Sequence, residues 1–191
     1  MSSESKTTQP QRTVVASHFV SLDGVAEAPD RFITAWDDET DAHGARLIST
    51  QDAVILGRRS YEEWAEFWPG SEIEPFASFI NAVPKYVATS TPLAREWPGA
   101  SVIDGEVVDF VRRLKDGPGG DIGVHASISL TRTLLAAGVV DELRLVIAPT
   151  IVGSGARLLD RLPPIRLETI RSTASPSGHL LVDYHVVRET R

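Results

Sequence analysis

Apolar residues along the chain fall into two alternating patterns, short continuous runs and runs with helical spacing. The continuous runs are rich in Val, Ile and Leu, which is typical of buried strands, and they occupy residues 13–22, 52–56, 85–88, 100–103, 121–125 and 143–148. Helical patterns lie between them, at residues 41–50, from residue 58 onward, and at 106–114 and 127–137. Strands that alternate with helices favour a parallel sheet with helices packed on its faces.

The C-terminal part of the chain has a different pattern. Residues 166–172 and 179–188 alternate apolar and polar side chains on either side of the turn sequence at 175–178. Such alternation indicates an antiparallel pair of strands with one exposed face. We therefore predict one α/β domain over residues 13–191, with a mixed sheet, mostly parallel, that has an antiparallel C-terminal edge and flanking helices. The polar residues 1–12 are expected to form a disordered tail.

Composition excludes several classes of protein. The chain has 191 residues, of which 42% are hydrophobic and 24% charged, as in ordinary soluble domains. Its formal net charge of −7 argues against a general nucleic-acid binder, and the absence of cysteine excludes disulfides and thiolate catalysis. No apolar run approaches the ~20 residues of a membrane helix, and residues 1–12 do not resemble a secretory signal. We expect a cytoplasmic protein without a membrane or nucleic-acid partner.

Three predicted strand ends are followed by small or hydroxylic residues. These segments are Gly57-Arg58-Arg59-Ser60, Thr89-Ser90-Thr91 and Ala126-Ser127-Ile128-Ser129. A helix N-terminus at the carboxyl end of a parallel strand offers free N–H groups and partial positive charge, which suit a phosphate. The guanidinium of Arg58 would add a planar set of donors. A serine at a helix start is also a common N-cap, so this pattern alone supports a nucleotide site and simple capping about equally.

Other candidate motifs point to structure rather than chemistry. The segment Gly153-Ser154-Gly155 lacks the third glycine of a dinucleotide fingerprint, and we interpret it as a turn. The five histidines show no metal-ligand spacing, so no metal site is predicted; His18 and His185 lie in strand patterns and are expected to be packed or edge residues. The acidic residues from Asp37 to Asp41 are interpreted as the solvated start of a helix.

Four segments, taken together, resemble one family. The segment Gly57-Arg58-Arg59-Ser60-Tyr61-Glu62 is similar to the Gly-Arg-x-Ser/Thr-Tyr-Glu motif of dihydrofolate-reductase-like proteins. Ser21-Leu22-Asp23-Gly24, the strand and helix at 121–137 and the stretch GVVDELRLVIAPTIVGSG at 138–155 resemble the bacterial branch related to the reductase domain of riboflavin biosynthesis. The similarity extends from about residue 14 to residue 184 and implies a dihydrofolate-reductase-like fold.

The resemblance also implies NADPH as cofactor, bound across the carboxyl ends of the sheet. Gly57, Arg58 and Ser60 would contact its phosphates, and Thr89 and Ser90 its adenosine 2′-phosphate. The pyrophosphate would lie against a set that follows the fifth strand: Ala126, Ser127, Ile128, Ser129 and Leu130. The nicotinamide would lie against the segment from Val20 to Ala26. The expected activity is hydride transfer to a small heterocyclic or imine-like substrate.

The chain departs from the riboflavin reductases at two substrate contacts. Their lysine after the Ser-Leu-Asp-Gly motif is Val25 here, and their glutamate before the glycine pair is His125. His125 is therefore a candidate proton donor, and a packed histidine bonded to a neighbouring carbonyl is the alternative. Asp23 is the second catalytic candidate, although an Asp-Gly turn explains it equally well. The glycine pair itself is replaced by Ala126-Ser127, and a Cβ at Ala126 restricts the backbone.

Three functions remain open at this point. The first is an NADPH-dependent reductase, the second a ligand-binding homo-oligomer on the same fold without hydride chemistry, and the third a classical dihydrofolate reductase. Against the third function, the sequence has no clear match for the carboxylate that orients a pterin in dihydrofolate reductases, although Asp37 lies near the expected position. By the same resemblance, we expect a homodimer that pairs through the antiparallel edge formed by residues 166–172 and 179–188.

Overall fold

The computed structural model of the chain describes residues 11–188. Most of the predicted tail lies outside these residues. Of its last two members, Gln11 is exposed, whereas Arg12 is buried and its Nε donates a hydrogen bond to the carbonyl of Gly120 at 2.7 Å. No helix within residues 11–188 is long and apolar enough to cross a membrane.

The described residues form eight strands and five α-helices. The strands are β1 (Val14–Ser21), β2 (Gln51–Gly57), β3 (Lys85–Ala88), β4 (Ala100–Val102), β5 (Asp121–His125), β6 (Glu142–Ala148), β7 (Leu167–Ala174) and β8 (Leu180–Val186). The helices are α1 (Asp38–Ile48), α2 (Arg58–Phe67), α3 (Phe76–Ala82), α4 (Val107–Asp116) and α5 (Ile128–Ala136). Two short 3₁₀ helices cover Pro29–Arg31 and Trp68–Gly70.

The strands form one sheet in the order β4-β3-β2-β5-β1-β6-β8-β7. The first six of these strands are parallel, and β8 runs antiparallel to both β6 and β7. The predicted fold class is therefore confirmed, including the antiparallel C-terminal edge. Parallel strands have their carboxyl ends on one edge of the sheet, so the ends of β1, β2, β3 and β5 lie together there.

Helices cover both faces of the sheet. On β1, Val14 and Ala16 belong to a core cluster that includes side chains of α4 and α5, whereas Val15 packs with Leu47 and Ile48 of α1. On β2, the face that carries Val54 and Leu56 packs against α2 and α3. This arrangement is why the central strands are continuous apolar runs rather than alternating ones.

Two elements differ from the sequence prediction for identifiable reasons. Helix α1 begins at Asp38 rather than at residue 41, because the Asp37 carboxylate caps it and accepts a hydrogen bond from the N–H of Thr40 at 2.8 Å. Helix α3 was not predicted. Its C-terminal end is held by the buried ammonium of Lys85, which donates to the carbonyls of Ile80 and Val83 at 2.8 Å each.

Two buried histidines lie on opposite faces of the sheet. The Nε2 atom of His18 is 2.8 Å from the hydroxyl of Thr131 in α5, and Nε2 of His125 is 2.8 Å from the side-chain carbonyl of Gln51. Burial lowers the pKa of His18 to about 3 and that of His125 to about 4, and the proximity of His125 adds to the shift of His18. Both imidazoles are therefore neutral at physiological pH.

These buried histidines predict that the fold is sensitive to acid. In the unfolded chain each histidine takes up a proton near pH 6.5, whereas in the folded chain it stays neutral to about pH 4 or below. The free energy of unfolding should thus fall as pH drops below 6.5, by up to ~1.4 kcal/mol per pH unit for each histidine. Urea denaturation between pH 7 and pH 4.5, followed by circular dichroism, measures this slope.

The variant His125→Phe should lower that slope whatever its effect on stability at pH 7, because one of the titrating groups is gone while His18 and His43, whose pKa values burial also lowers, remain. His185→Gln is the matched control, since the side chain of His185 is 60% exposed. A slope that is the same in wild type and His125→Phe would contradict the assignment of His125 as a buried neutral group.

Candidate functional site

The candidate site lies at the carboxyl ends of the central parallel strands. There, β2 passes directly into α2 through Gly57, and β5 passes into α5 through Ala126 and Ser127. Gly57 and Ser127 are the residues that precede the first turns of the two helices. The two junctions are neighbours because β2 and β5 are adjacent in the sheet.

A chain of hydrogen bonds joins these two junctions. The N–H of Gly57 donates to the hydroxyl of Ser127 at 2.8 Å. That hydroxyl donates to the hydroxyl of Ser60 at 3.0 Å, which in turn donates to the carbonyl of Ala126 at 3.2 Å. We call this set the serine bridge. It brings together four of the predicted cofactor residues, and Ser60 and Ser127 are both buried.

The backbone at the bridge is tightly constrained. A Cβ atom on Gly57 would lie 3.4 Å from the Ser127 hydroxyl, in van der Waals contact, so the two junctions pack closely at this residue. Ala126 has a φ of 54°, in the left-handed region that glycine adopts freely and other residues adopt at a cost of roughly 1–2 kcal/mol. The Cβ of Ala126 was expected to restrict its backbone, and the structure accommodates this Cβ in a strained backbone conformation.

Both helix N-termini are left without side-chain caps. Gly57 has no side chain to cap α2, and the Ser127 hydroxyl bonds Gly57 and Ser60 and makes no cap hydrogen bond to α5. The first N–H groups of a helix have no partner within the helix, and an anion is a favourable one. In α5 the side chain of Ser129 is exposed, that of Ile128 is half-buried, and that of Leu130 belongs to the core, so Leu130 offers a ligand only its backbone.

Two arginines stand at the start of α2. Arg58 donates through Nε to Glu62 at 2.8 Å, and Arg59 donates through Nε to Glu63 at 2.9 Å. Exposed pairs of this kind, four residues apart on a helix, contribute only ~0.3–0.5 kcal/mol. A charge-assisted, bidentate contact with a phosphate is stronger, so either arginine can exchange its carboxylate for an anion bound at the helix N-terminus.

Thr89 and Ser90 line a separate groove at the same edge of the sheet. The groove lies between the ends of β3 and β4 and the start of α4, and its volume is about 450 Å³, within the usual range of ligand sites. Its lining residues are Ala88, Thr89, Ser90, Ile103, Gly105, Glu106 and Val107. The structure therefore places the two predicted 2′-phosphate residues together, apart from the serine bridge.

Asp23 is occupied by structural hydrogen bonds. Its carboxylate accepts from the hydroxyl of Ser21 at 2.7 Å and from the N–H groups of Val152 and Gly153 at 3.0 and 2.9 Å. These bonds lower the pKa of Asp23 to about 2. The side chain thus ties the loop after β6 to the end of β1, and it has no proton to donate at neutral pH.

The predicted nicotinamide segment pairs with the same loop. Val25 forms an isolated antiparallel bridge with Arg157, and the N–H of Ala26 donates to the carbonyl of Ala156 at 2.9 Å. Val20 and Ala26 are both buried in the core cluster, so they can shape an apolar wall but present little surface. The segment 153–155 belongs to this loop.

The side chain of His125 points away from the junction that follows it. It turns back along β5 over Gly123, where an added Cβ would lie 2.6 Å from its Nε2 atom. The rings of Phe76, Trp64 and Phe79 surround it, with centroids 5.7, 6.2 and 6.4 Å away. Only 4% of the residue is exposed. This geometry favours the packed alternative, with the amide of Gln51 as partner.

A small cavity of about 40 Å³ lies between α1 and the strands β1 and β6. It is lined by Ser17, His18, Phe19, Trp36, Thr40, His43, Gly44, Leu47 and Val146. This volume holds only a few water molecules. A larger ligand must therefore displace a wall, and the outermost wall is Trp36, which is half exposed and lies 5.7 Å from the ring of Phe19.

The sequence analysis did not single out His43, a polar side chain in the wall of this cavity. Nε2 of His43 is 3.7 Å from Oδ1 of Asp183 on β8, too far for a hydrogen bond, and within residues 11–188 this buried oxygen has no hydrogen-bond partner. Burial lowers the pKa of His43, and the Asp183 carboxylate opposes that shift. The helical spacing of Thr40, His43 and Leu47 indicates one face of α1, but it does not reveal the partner.

The described residues 11–188 contain no group of three or more His, Asp or Glu side chains that could hold a metal ion. The edge at the strand ends presents helix N-termini and hydroxyls, whereas the pair of His43 and Asp183 lies level with the middle of β1, where Asp183 pairs with Arg144 and Arg144 with Ser17. Helix N-termini and hydroxyls are groups that bind anions.

Comparison with solved structures agrees with this fold. Dihydrofolate reductase from Enterococcus faecalis, in complex with NADP(H), superposes with a TM-score of 0.62 at 16% identity, covering 92% of this chain and 97% of that one. A Shewanella sp. PV-4 protein named for riboflavin biosynthesis gives a TM-score of 0.73 at 17% identity, with 92% and 99% covered. These likenesses show the fold.

Sequence comparison identifies the family. The uncharacterized protein YyaP of Bacillus subtilis strain 168 is 27% identical over 180 residues, which cover 92% of this chain and 95% of that protein. The family model described as the RibD C-terminal domain matches residues 12–181. The strand ends, the loop after β6 and strand β7 lie within that match, and the chain thus belongs to the RibD C-terminal domain family.

Proposed function

We propose that the protein is an NADPH-dependent reductase that transfers hydride to a small heterocyclic or imine-like substrate. The observation that carries this proposal is the serine bridge, which holds two uncapped helix N-termini side by side at the carboxyl ends of adjacent parallel strands. The pyrophosphate of a dinucleotide is an anion, and helix N-termini are favourable partners for it. The family and its reductase-like structural neighbours support the same activity.

The described residues fit the cofactor in three places. The first turns of α2 and α5 would hold the pyrophosphate through backbone N–H groups, and the Arg58 side chain would extend from the start of α2 toward the 2′-phosphate. The groove beside Thr89 and Ser90 would hold the adenosine end. The segment from Val20 to Ala26 would form the apolar wall against the nicotinamide. When bound, the cofactor supplies the hydride; the chain must orient the substrate, exclude water and provide a proton.

The cavity beside α1 is the best candidate for the substrate. It lies against β1, whose end carries the predicted nicotinamide segment, and its wall includes the polar side chains of Ser17, Thr40 and His43. Neither of the catalytic residues predicted from the sequence suits proton donation here, because Asp23 is ionised and His125 is buried in an aromatic cluster. We propose that His43, beside the Asp183 carboxylate, hydrogen-bonds the substrate instead.

A classical dihydrofolate reductase is the weaker alternative on this geometry. Asp37, the nearest carboxylate in the sequence, caps α1 and also accepts a hydrogen bond from the N–H of Ser177 at 2.7 Å. It is absent from the lining of the cavity, where α1 presents Thr40 and His43. A ligand-binding protein without hydride chemistry would use the same helix N-termini, and experiment must separate it from a reductase.

The proposed function predicts NADPH binding followed by NADPH consumption. Titration with NADPH, monitored by cofactor fluorescence, should show saturable binding, and a screen of cyclic imines and dihydrofolate should reveal substrates through loss of NADPH absorbance. Binding without consumption of NADPH by any candidate would favour the non-catalytic alternative. Rapid turnover of dihydrofolate alone would favour the classical reductase, and absence of binding would contradict the proposal.

The proposed role of Arg58 predicts which of the two cofactors, NADPH or NADH, binds more tightly. If its guanidinium contacts the 2′-phosphate, NADPH should bind more tightly than NADH. The variant Arg58→Ala should then weaken NADPH binding by about ten- to a hundredfold, the equivalent of a charge-assisted contact of ~1.5–3 kcal/mol, and change NADH binding little. Fluorescence titration of both cofactors measures the two constants.

Arg112→Ala is the matched control for this experiment, because Arg112 is an exposed arginine that pairs with Asp109 on α4, away from the strand ends. It should leave both constants unchanged. Equal losses of NADPH and NADH binding in Arg58→Ala would contradict a role at the 2′-phosphate.

We also propose a homodimer that forms through the antiparallel edge. Strand β7 is the last strand of the sheet, most of its residues are exposed, and its outer N–H and C=O groups face no neighbour within residues 11–188. Such an edge favours pairing with a second strand. Ile170 lies at a break in the register with β8 and is 42% exposed, so it adds apolar surface to this edge.

Light scattering at micromolar concentration should therefore give the mass of a dimer. Ile170→Lys should shift the mass toward a monomer, because it places a charge in the proposed interface. Ile73→Lys is the matched control, since Ile73 is 58% exposed and lies between α2 and α3, on the other half of the molecule. A monomeric wild type, or a dimer that persists in Ile170→Lys, would count against this interface.

A further inference from the structure

The groove that would hold the adenosine end of the cofactor contains an acidic side chain. Among the seven residues that line it, Glu106 alone is charged, and its neighbours include the hydroxyls of Thr89 and Ser90. Glu106 is the residue that precedes α4, and its carbonyl accepts the first bond of that helix, from Phe110 at 3.0 Å. Its carboxylate does not cap the helix and faces solvent.

The Glu106 carboxylate should affect the binding of NADPH and the binding of NADH in opposite directions. A 2′-phosphate carries up to two negative charges, and like charges closer than the Debye length of ~8 Å repel each other at physiological salt. A 2′-hydroxyl is neutral and can donate a hydrogen bond to a carboxylate, which is how an acidic residue selects NADH in other dinucleotide sites. The hydroxyls of Thr89 and Ser90 suit either group.

Arg58, the arginine that the sequence analysis assigned to the cofactor phosphates, does not line the groove. Arg58 lies at the start of α2, is absent from the groove lining and is hydrogen-bonded to Glu62 at 2.8 Å. A 2′-phosphate placed between Arg58 and Glu106 would be attracted by the first side chain and repelled by the second. The preference for NADPH is then the difference between two opposing interactions.

We infer that Glu106 is a specificity-determining residue that limits the preference for NADPH and supports the use of NADH. The inference rests on the proposed function, because it requires the adenosine end of a nicotinamide cofactor in this groove. It adds a residue that the sequence analysis did not single out, and it gives Glu106 an effect opposite in sign to that of Arg58.

Fluorescence titration of Glu106→Gln with each cofactor tests the inference. This variant removes the charge and keeps the size of the side chain, so the Kd for NADPH should fall by about five- to tenfold. The Kd for NADH should stay the same or rise by a fewfold, because an amide is a weaker acceptor than a carboxylate. The gain for NADPH should shrink when the salt concentration is raised from about 0.05 M to about 0.5 M.

Asp104→Asn is the matched control. Asp104 is an exposed acidic residue of the same loop, two positions before Glu106, but it does not line the groove. It removes the same charge, so a general effect of net charge would appear equally in both variants. A second pair of probes, adenosine 2′,5′-bisphosphate and AMP, isolates the 2′ position from the nicotinamide end and should show the same split.

The possible outcomes separate the inference from the proposed function. Tighter NADPH binding in Glu106→Gln alone, with NADH unimproved, supports the inference. Equal changes for NADPH and NADH, no change for either, or an equal gain in Asp104→Asn would overturn it while leaving cofactor binding intact. If folded wild-type protein binds neither cofactor, the proposed function itself fails, and the inference fails with its premise.

Discussion

The hydroxyl of Ser127 is the point on which the arrangement of the candidate site depends. It accepts a hydrogen bond from the backbone of β2 and donates one to Ser60 of α2, so it fixes α5 to α2 where both helices begin. The hydroxyl makes no cap hydrogen bond to its own helix, so the first N–H groups of α5 have no partner in this side chain. One side chain thus holds the two helix N-termini together and leaves the second of them uncapped.

The walls of the site differ in how firmly they are held. The wall at the end of β1 is tied to the loop after β6 by three hydrogen bonds to an ionised Asp23 and by the pairing of Val25 with Arg157. The opposite wall consists of α1 and the exposed ring of Trp36, with a cavity of about 40 Å³ behind it. Under the proposed function, room for a substrate must therefore come from the side of α1, whereas the wall at the end of β1 is already held in place.

Much of the fold follows from local sequence patterns, and much of the site does not. Strands β3 and β5 have the predicted bounds, because their apolar runs are short and are ended by polar or small residues. Helix α3 was missed because its seven residues show too little periodicity and its C-terminal cap comes from Lys85, a side chain beyond its end. The pair of His43 and Asp183 comes from α1 and β8, which only the sheet topology brings together.

The contact between Gly123 and His125 has a consequence for how the chain can evolve. The Gln51 amide and the imidazole together occupy the volume that a side chain at position 123 would need, because an added Cβ would lie 2.6 Å from Nε2 of His125 and closer still to Oε1 of Gln51. A larger residue at 123 therefore requires a change at both 51 and 125, because the hydrogen-bonded pair fills the space as a unit. Among homologous sequences the three positions should therefore covary, with glycine at 123 accompanying this pair.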